Sequence, residues 1–545
     1  MTHATVSPHW DMSDPAVRYR AVLTTLMPGF LGESLPEGYR QYYHDGLGAV
    51  CIFGHNVTSL QQLRELTHEI LAANPCALIA IDEEGGDVTR LHHLAGSPFP
   101  GNAILGRIDD GDLTEQIAHQ VGRELTDVDV SLDFAPDVDI NSNPDNPVIG
   151  VRSFGSNPDN VAKHTVRWIS GFHSAGPLAC AKHFPGHGDT SADSHKALPV
   201  VDRSLDELRE RELIPFTAAI RAGVSCIMTS HILLPQLDAT NPATFSSRIL
   251  EDLLRDELGF SGVIVSDALD MVGASGDSGI PQAAVRALAA GCDLLCLGSV
   301  ITLEELRDVI EAIIAAIENG QLPAQRVANA ARRVRSLTAQ RTGIPSEGSD
   351  SDSHQNPLTP DIIGRIQGVF DVKETLFSHR PEEKPKREWD APPTVVRIES
   401  TENVAVGPSP WGPFAVTTPD ATDSTLISSA RVEAFASYPV VTINEHDSVT
   451  QAARIATILN RTIGQGVILV IGKNIHRDRY ACEIIDAVRP NRTVIVVDMG
   501  WPDNQRHYAD IATFGASRVV GEALIDFLVP RLTPFNPHRD LDRER

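Results

Sequence analysis

The chain has no apolar run long enough to span a membrane, and its first residues lack a basic region followed by an apolar core. The first absence excludes an ordinary transmembrane helix, and the second argues against a signal peptide. We therefore expect a cytoplasmic protein that has no membrane partner.

Basic residues are scarce relative to acidic ones. The 545 residues include 46 Lys and Arg against 72 Asp and Glu, so the formal net charge is −26 at pH 7. This charge repels nucleic acids and anionic membrane surfaces. We therefore expect no nucleic-acid partner, and we interpret the acidity as a contribution to solubility.

Cysteine is also scarce, and its number is odd. Most of the seven cysteines lie in apolar runs such as LACAKHF and GCDLLCLG. We interpret them as small buried apolar residues in a reducing compartment rather than as a disulfide framework. Cys292 and Cys296 are close enough in sequence to share a metal ion, but no partner ligands accompany them.

Eight short apolar runs alternate with amphipathic stretches in the first part of the chain. This alternation predicts a (β/α)8 TIM-like barrel for residues 1–342, with a doubly wound open sheet as the alternative. The eight runs begin at Val22, Gly48, Ala77, Val130, Leu178, Val224, Gly262 and Cys292.

Polar residues at the ends of these runs favour the barrel, because barrel enzymes carry their chemistry at the carboxyl ends of the strands. Strand ends can also turn polar simply because they reach solvent. That explanation accounts well for one or two such residues, but less well for six. The six are Asp82, Asp137, Lys182, His183, His231 and Asp267.

The composition changes over residues 343–393, where Ser, Asp, Gly, Pro and charged residues dominate. We interpret this range as a linker that contains one helical stretch, LTPDIIGRIQGVF. Apolar runs return over residues 394–545 and predict a smaller α/β sandwich domain. It has neither a phosphate-binding loop nor a dinucleotide fingerprint, so we expect no nucleotide cofactor. This domain is expected to cover the barrel or to form a homodimer.

The segment AKHFPGHGDTSADSHKALP is dense in polar residues, and one hypothesis for it is a metal site. Its imidazole and carboxylate groups are of the kinds that bind metal ions, and they belong to His183, His187 and His195 together with Asp189 or Asp193. However, Pro185 and Gly186 argue against the helix that would place the first two histidines on one face. The segment also lacks the glutamate that follows the first histidine in the H-E-x-x-H motif. A metal site is therefore the weaker hypothesis.

Acid/base chemistry is the second hypothesis for this segment. Asp193 and His195 are two residues apart, so a bend in the loop brings their side chains together. A carboxylate beside an imidazole stabilises the protonated ring and fixes its tautomer. Such a pair can protonate a leaving oxygen and then deprotonate water. A salt-bridged surface loop is the alternative, but the neighbouring Lys182 and His183 favour function.

The run GVIVSDALDM places an aspartate directly after four apolar strand formers. Asp267 is poorly solvated there unless the strand ends in a pocket, and in a pocket it could attack an anomeric carbon. Asp270 follows one helical turn later and could instead cap the next helix. We choose Asp267 as the nucleophile because it is closer to the end of the strand.

Six segments resemble the β-N-acetylglucosaminidases of glycoside hydrolase family 3. They are IDEEGGDVTR, FAPDVDIN, VRSFG, KHFPGHGDTSADSH, FSSRILEDLLRDELGFSGVIVSDALDM and AAGCDLLCLG, and they occur in the family's order over most of residues 20–340. The histidine-rich segment is the most specific, because the β-glucosidases of the family lack it. The resemblance implies a retaining enzyme that hydrolyses terminal β-linked N-acetylglucosamine in small saccharides without a metal or another cofactor. Peptidoglycan-derived or chito-oligosaccharide fragments are its expected substrates.

The resemblance also implies a role for each matching residue. Asp267 would form the covalent glycosyl intermediate, and Asp193 with His195 would form the acid/base dyad. His231 is a further pocket candidate because it follows a barrel strand. The residues that would hold the sugar ring are Asp82, Arg90, Arg152, Lys182 and His183.

Three other functions stay open at this point. An imidazole repels an incoming anion less than a glutamate does, so phosphate could replace water and make the enzyme a phosphorylase. A metal-dependent hydrolase that uses the histidine segment is the second alternative. A non-catalytic sugar-binding protein is the third, and the presence of Asp267, Asp193 and His195 together speaks against it.

Overall fold

The computed structural model describes residues 10–191, 198–340, 358–378, 391–399, 405–417, 425–444, 455–457, 459 and 466–532. The chain divides into two compact units. The first contains Met1–Leu91 and Asp109–Pro357, and the second contains His92–Ile108 and Leu358–Arg545.

Eight parallel strands form the sheet of the first unit, in the order β1-β8-β7-β6-β5-β4-β3-β2. The outer strands β1 and β2 contact each other, so the sheet is nearly closed. Each of the eight predicted runs contains one strand, which confirms the TIM-like barrel and excludes the open sheet. The strands are Leu26–Pro28 (β1), Ala49–Ile52 (β2), Leu78–Ile81 (β3), Leu132–Asp133 (β4), Leu178–Phe184 (β5), Cys226–Thr229 (β6), Val263–Ser266 (β7) and Leu294–Gly298 (β8).

Helices connect these strands, and side chains in the sequence set where several of them begin. The Ser59 hydroxyl accepts a hydrogen bond from the Gln62 amide at one helix start, and Thr302 with Glu305 forms a capping box at another. The α-helices of this unit are Pro15–Thr24, Glu37–Asp45, Leu60–Ala73, Gly111–Asp127, Pro158–Ala175, Leu205–Glu210, Leu213–Arg221, Val272–Ser275, Gly279–Ala290, Leu303–Glu318 and Ala324–Ala339. Short 3-10 turns are Gly54–Asn56, Gly150–Arg152, Ala243–Phe245 and Gly276–Ser278, and Arg248–Glu257 is a π-helix.

Alternate side chains of the strands form a packed apolar core. Four cysteines belong to it, and all seven cysteines of the chain are free. Cys76 is exposed and Cys482 is partly buried, whereas the other five are buried as predicted. The four core cysteines are Cys51, Cys180, Cys226 and Cys296.

The helix Ala324–Ala339 lies against the amino ends of the strands. The Thr338 hydroxyl donates to the carbonyl of Cys76 before β3 (3.2 Å), and Arg326 Nη2 is 3.0 Å from the Asp293 carboxylate before β8. This helix thus covers part of the amino end, and the polar residues that follow the strands lie at the opposite, carboxyl end.

The second unit contains a six-stranded sheet in the order β11-β10-β12-β13-β14-β9, in which only the β14–β9 pair is antiparallel. This confirms a smaller α/β domain. The strands are Asp371–Val372 (β9), Thr394–Glu399 (β10), Val440–Asn444 (β11), Ile468–Gly472 (β12), Val494–Asp498 (β13) and Ile511–Ala512 (β14). The helices are Asn102–Ile108, Pro360–Gln367, Thr375–Ser378, Gly412–Val416, Ser429–Ala436, Arg479–Val488 and Arg518–Leu532, with a 3-10 turn at Ile475–Arg477.

Two ranges belong to this unit although the sequence placed them elsewhere. Residues 92–108 were expected in the barrel, and the helix Pro360–Gln367 was expected in the linker. Helical periodicity identifies a buried face but not the unit against which that face packs. Over the described ranges, no helix has the length and apolar character needed to cross a membrane.

Candidate active site

An ion pair joins the carboxyl ends of β3 and β5. Lys182 Nζ lies 2.7 Å from Asp82 Oδ1 and 2.7 Å from Glu84 Oε1. Burial alone lowers the pKa of Lys182, but the two carboxylates outweigh burial and raise that pKa above its ordinary value. The side chain of Asp82 is 21% exposed and that of Lys182 only 2%. The lysine therefore lies behind a carboxylate that faces outward.

Arg152 extends this chain of charges. Its Nη2 and Nε atoms lie 2.7 Å and 2.9 Å from the two carboxylate oxygens of Glu84, and Nη2 is 3.5 Å from Asp137 Oδ2. Burial tends to raise the pKa of Glu84, but Arg152 and Lys182 hold it well below its usual range. Each of these buried charges thus has an opposite charge beside it, which offsets its desolvation.

Asp139 organises the two described histidines of the histidine-rich segment. Its Oδ2 atom accepts a hydrogen bond from His183 Nδ1 (2.7 Å), and its Oδ1 atom accepts one from the His187 amide (2.6 Å). Asp137 and Asp139 are two residues apart in FAPDVDIN, a spacing that places both side chains on the same side of an extended chain. Burial and the neighbouring Asp139 raise the pKa of Asp137 well above its ordinary value.

His187 is buried, and its Nδ1 atom lies 2.8 Å from the Thr190 hydroxyl. Burial lowers the pKa of His187 to about 4, while the negative charges of Asp139 and Asp267 act in the opposite direction. The imidazole is therefore neutral near pH 7, and Asp267 lies within its electrostatic reach.

Asp267 directly follows β7, as predicted, and is partly buried. Its amide donates to the Thr229 hydroxyl (3.3 Å), and its Oδ1 atom accepts a hydrogen bond from the Ala268 amide (2.8 Å). These two contacts fix the backbone and one carboxylate oxygen at the carboxyl end of the barrel.

Asp270 is not the N-cap residue of the next helix, in contrast to the alternative considered for it. Its Oδ2 atom accepts a hydrogen bond from the Ser299 amide (3.2 Å), whereas Met271 is the N-cap of that helix. Gly298 has a φ of +138°, and a Cβ atom there would lie 2.2 Å from Asp270 Oδ2. Asp270 thus ties the loop after β7 to the loop after β8.

Arg90 and His231 occupy different surroundings. Arg90 Nη2 is 3.8 Å from Asp82 Oδ2, and the Arg90 amide donates to Glu83 Oε2 (2.7 Å). The side chain of His231 is fully buried, and its ring nitrogens lie 2.9 Å from the Thr244 hydroxyl and 3.0 Å from the Ala268 carbonyl. The structure therefore places Arg90 beside the outward-facing carboxylate and His231 inside the barrel wall.

The histidine-rich segment is anchored where it leaves β5. Asp189 Oδ2 lies 3.0 Å from Arg203 Nε and 2.8 Å from Arg211 Nη2. The side-chain amide of Asn146 donates to the carbonyl of His187 (2.8 Å). Asp193 and His195, the predicted acid/base dyad, lie outside the described residues.

One group of potential metal ligands occurs in the part of the chain that the structure describes. Asp137, Asp139 and His183 offer ligand atoms within 4.8 Å of one another. The Arg152 guanidinium lies beside Asp137, and His183 Nδ1 is used in its hydrogen bond to Asp139. A metal ion there would compete with the Arg152 guanidinium and with the hydrogen bond between His183 and Asp139.

Reasoning from the sequence did not identify five residues of the site: Glu83, Glu84, Asp139, Asn146 and Thr229. The first three lie within segments singled out by the sequence, next to or two residues from Asp82 or Asp137. The pleat of the strand and the path of the loop decide which acidic neighbour points into the site. For Asn146 and Thr229 we find no signal in the sequence.

Comparisons with known proteins point to one enzyme family. The family model described as "Glycosyl hydrolase family 3 N terminal domain" matches residues 39–337. A β-hexosaminidase A of Pseudoalteromonas piscicida is 35% identical over 364 residues, which cover 62% of this chain and 59% of that protein. The chain thus spans about three fifths of that relative's length. A β-hexosaminidase of Chromobacterium violaceum is 37% identical over 58% of this chain and 89% of its own length.

Several solved structures are similar over almost the whole chain. One of them is a glycoside hydrolase family 3 β-N-acetylglucosaminidase from Paenibacillus sp. str. FPU-7, which is 28% identical and covers 94% of this chain and 97% of its own, with a TM-score of 0.77. The range matched by the family model extends from the helix Glu37–Asp45 to the helix Ala324–Ala339, so it includes every site residue described above. The chain therefore belongs to glycosyl hydrolase family 3.

Proposed function

We propose that this protein is a retaining glycosidase that hydrolyses terminal β-linked N-acetylglucosamine, with Asp267 as its nucleophile. The observation that carries the proposal is the position of Asp267, a partly buried carboxylate whose backbone and Oδ1 atom are held at the catalytic end of a barrel. The names of the relatives, β-hexosaminidase and β-N-acetylglucosaminidase, support this reaction.

In the first step, Asp267 attacks the anomeric carbon and the bond to the leaving oxygen breaks. A protonated His195 donates its proton to that oxygen, and Asp193 stabilises the imidazolium. In the second step, neutral His195 takes a proton from water. The water oxygen attacks the anomeric carbon, the ester to Asp267 breaks, and the sugar leaves with its β configuration. The dyad residues are assigned from the sequence.

The chain of charges beside β3 and β5 is suited to holding the sugar ring. Burial tends to raise the pKa of Asp82, but Lys182 and Arg90 lower it, so this carboxylate is ionised at neutral pH. An ionised carboxylate accepts hydrogen bonds from neighbouring sugar hydroxyls. We propose that Asp82 makes these contacts and that Lys182, Arg152, Arg90 and His183 complete the subsite.

The test is hydrolysis of an aryl β-N-acetylglucosaminide by the wild type and two variants. Asp267→Ala removes the nucleophile, so we expect turnover to fall by about a thousandfold or more. Asp270→Asn is the matched control, because its amide oxygen can still accept the Ser299 hydrogen bond; it should keep most of the activity. Full activity of Asp267→Ala would refute the assignment.

Product analysis with and without phosphate separates hydrolysis from phosphorolysis. Free N-acetylglucosamine under both conditions supports the proposal, whereas N-acetylglucosamine 1-phosphate would identify a phosphorylase. Loss of activity with a chelator and its return with zinc would favour the metal-dependent alternative. Peptidoglycan-derived fragments and a cytoplasmic location stay predictions from the sequence, as does a homodimer.

A further inference from the structure

A closed ring of hydrogen bonds lies behind Asp267. The Asp267 amide is 3.3 Å from the Thr229 hydroxyl, which is 2.8 Å from the Thr244 hydroxyl. The Thr244 hydroxyl is 2.9 Å from His231 Nδ1, and His231 Nε2 is 3.0 Å from the Ala268 carbonyl. The side chains of Thr229, His231 and Thr244 are all fully buried. We call these three residues the positioning ring.

The chemistry of each group limits the direction of each hydrogen bond. The Ala268 carbonyl can only accept, so His231 Nε2 donates to it. The Thr229 oxygen accepts from the Asp267 amide, because an amide N–H can only donate. The Thr244 hydroxyl has one proton and two acceptors within reach: the Ser230 carbonyl at 3.0 Å and, in the tautomer that carries its proton on Nε2, His231 Nδ1 at 2.9 Å.

The two ends of the ring flank the peptide unit that orients the carboxylate. The ring contacts the amide of Asp267 at one end and the carbonyl of Ala268 at the other. Between them, the Ala268 amide donates to Asp267 Oδ1. A rotation of this peptide would therefore turn the carboxylate, and a misplaced nucleophile loses the near-attack geometry on which its rate depends.

We propose that Thr229, Thr244 and His231 are positioning residues for the nucleophile, and that His231 acts through the backbone instead of contacting the sugar. This inference rests on the proposed role of Asp267. It replaces the expectation that His231 binds substrate, because both of its ring nitrogens are occupied within the barrel wall. Loss of the ring should lower kcat and leave KM nearly unchanged, since the sugar subsite beside β3 and β5 is not altered.

The experiment removes one hydroxyl at a time. Thr229→Val and Thr244→Val keep the shape of the side chain, whereas Thr229→Ser and Thr244→Ser keep the hydroxyl and lose the methyl group. On an aryl β-N-acetylglucosaminide, we expect the valine variants to lose about tenfold to a hundredfold in kcat, with KM within about twofold. The serine variants should retain kcat within about threefold.

Thr25→Val is the matched control. Thr25 is fully buried, its hydroxyl donates to the Val22 carbonyl (2.8 Å), and it lies at the amino end of β1, away from the catalytic end. This variant should lose stability in urea as the ring variants do, but it should keep its kcat.

The outcomes separate this inference from the proposed function. If the folded valine variants keep wild-type kcat while Asp267→Ala is inactive, only the positioning ring is overturned. If Asp267→Ala stays fully active, the proposed function fails as well. Equal loss of kcat in the valine and serine variants would indicate a packing role and would also overturn the inference. Should a valine variant not fold, His231→Gln takes its place, and unchanged kcat in that variant counts against the ring.

Discussion

Lys182 and Asp82 form a 2.7 Å ion pair although 100 positions separate them in the sequence. The pair connects β5 to the loop after β3, and Glu84 shares the same ammonium group. It therefore serves both the stability of the barrel and the shape of the proposed subsite.

Lys182→Met should lower the free energy of unfolding by about 3–5 kcal/mol at pH 7, because it removes the ammonium group that the carboxylates of Asp82 and Glu84 share. Lys182 helps to hold the pKa values of Asp82 and Glu84 below their ordinary range. That stabilisation is present above the ordinary carboxyl pKa and is lost as the pH falls through the lowered values. The difference between variant and wild type should therefore shrink in acid, as measured by urea unfolding.

The control for this measurement is Lys163→Met. Lys163 forms an exposed pair with Asp109 at 2.8 Å, and such a pair contributes about 1 kcal/mol or less. A loss of the same size in both lysine variants would contradict the assigned role of the buried pair.

His187→Asn should remove part of the acid sensitivity of the fold. The ordinary histidine pKa of 6.5 is lowered to about 4 by burial, so between these values the unfolded chain binds a proton that the folded chain does not. The wild type should therefore lose up to about 1.4 kcal/mol of stability per pH unit as the pH falls through this window. Urea unfolding at pH 7.5 and pH 5 should show a smaller difference for the variant, while the exposed-site variant His68→Asn should match the wild type.

Asp189→Ala should loosen the histidine-rich segment without touching the sugar subsite. The carboxylate holds Arg203 and Arg211 at 3.0 Å and 2.8 Å, directly before the range that contains the proposed dyad. We expect kcat to fall by about tenfold, equivalent to about 1.4 kcal/mol in the activation free energy. Asp206→Ala, which removes an exposed partner of Arg209, is the control and should retain its kcat.

His195→Ala should distinguish substrates by their leaving groups. An acid catalyst contributes about a hundredfold to ten-thousandfold when the leaving oxygen needs a proton, and much less when the leaving group is a nitrophenolate. We expect slow turnover of a nitrophenyl glycoside and almost none of a chito-oligosaccharide. An equal loss on both substrates would show that His195 is not the acid.

The barrel was predictable because each strand is a short apolar run buried on both faces and each is followed by an amphipathic helix. The same alternation placed Asp267, Lys182 and His183 at the catalytic end, since a polar residue directly after a buried strand has few other positions to occupy. The full burial of His231 was not predictable, because a strand end can direct a side chain into the pocket or into the wall. The dyad of Asp193 and His195 stays a prediction.

The sequence by itself determined the eight-stranded barrel, the smaller α/β domain and the positions along the chain where polar residues follow buried strands. Local apolar periodicity and chain order carry that information. Only the tertiary structure decided that Glu84 and Arg152 share a buried ion pair and that Asp139 holds both His183 and His187. It also decided that His231 lies between the Thr244 hydroxyl and the Ala268 carbonyl. These partners lie tens of residues apart in most cases, and closure of the barrel, not sequence spacing, brings them within hydrogen-bonding distance.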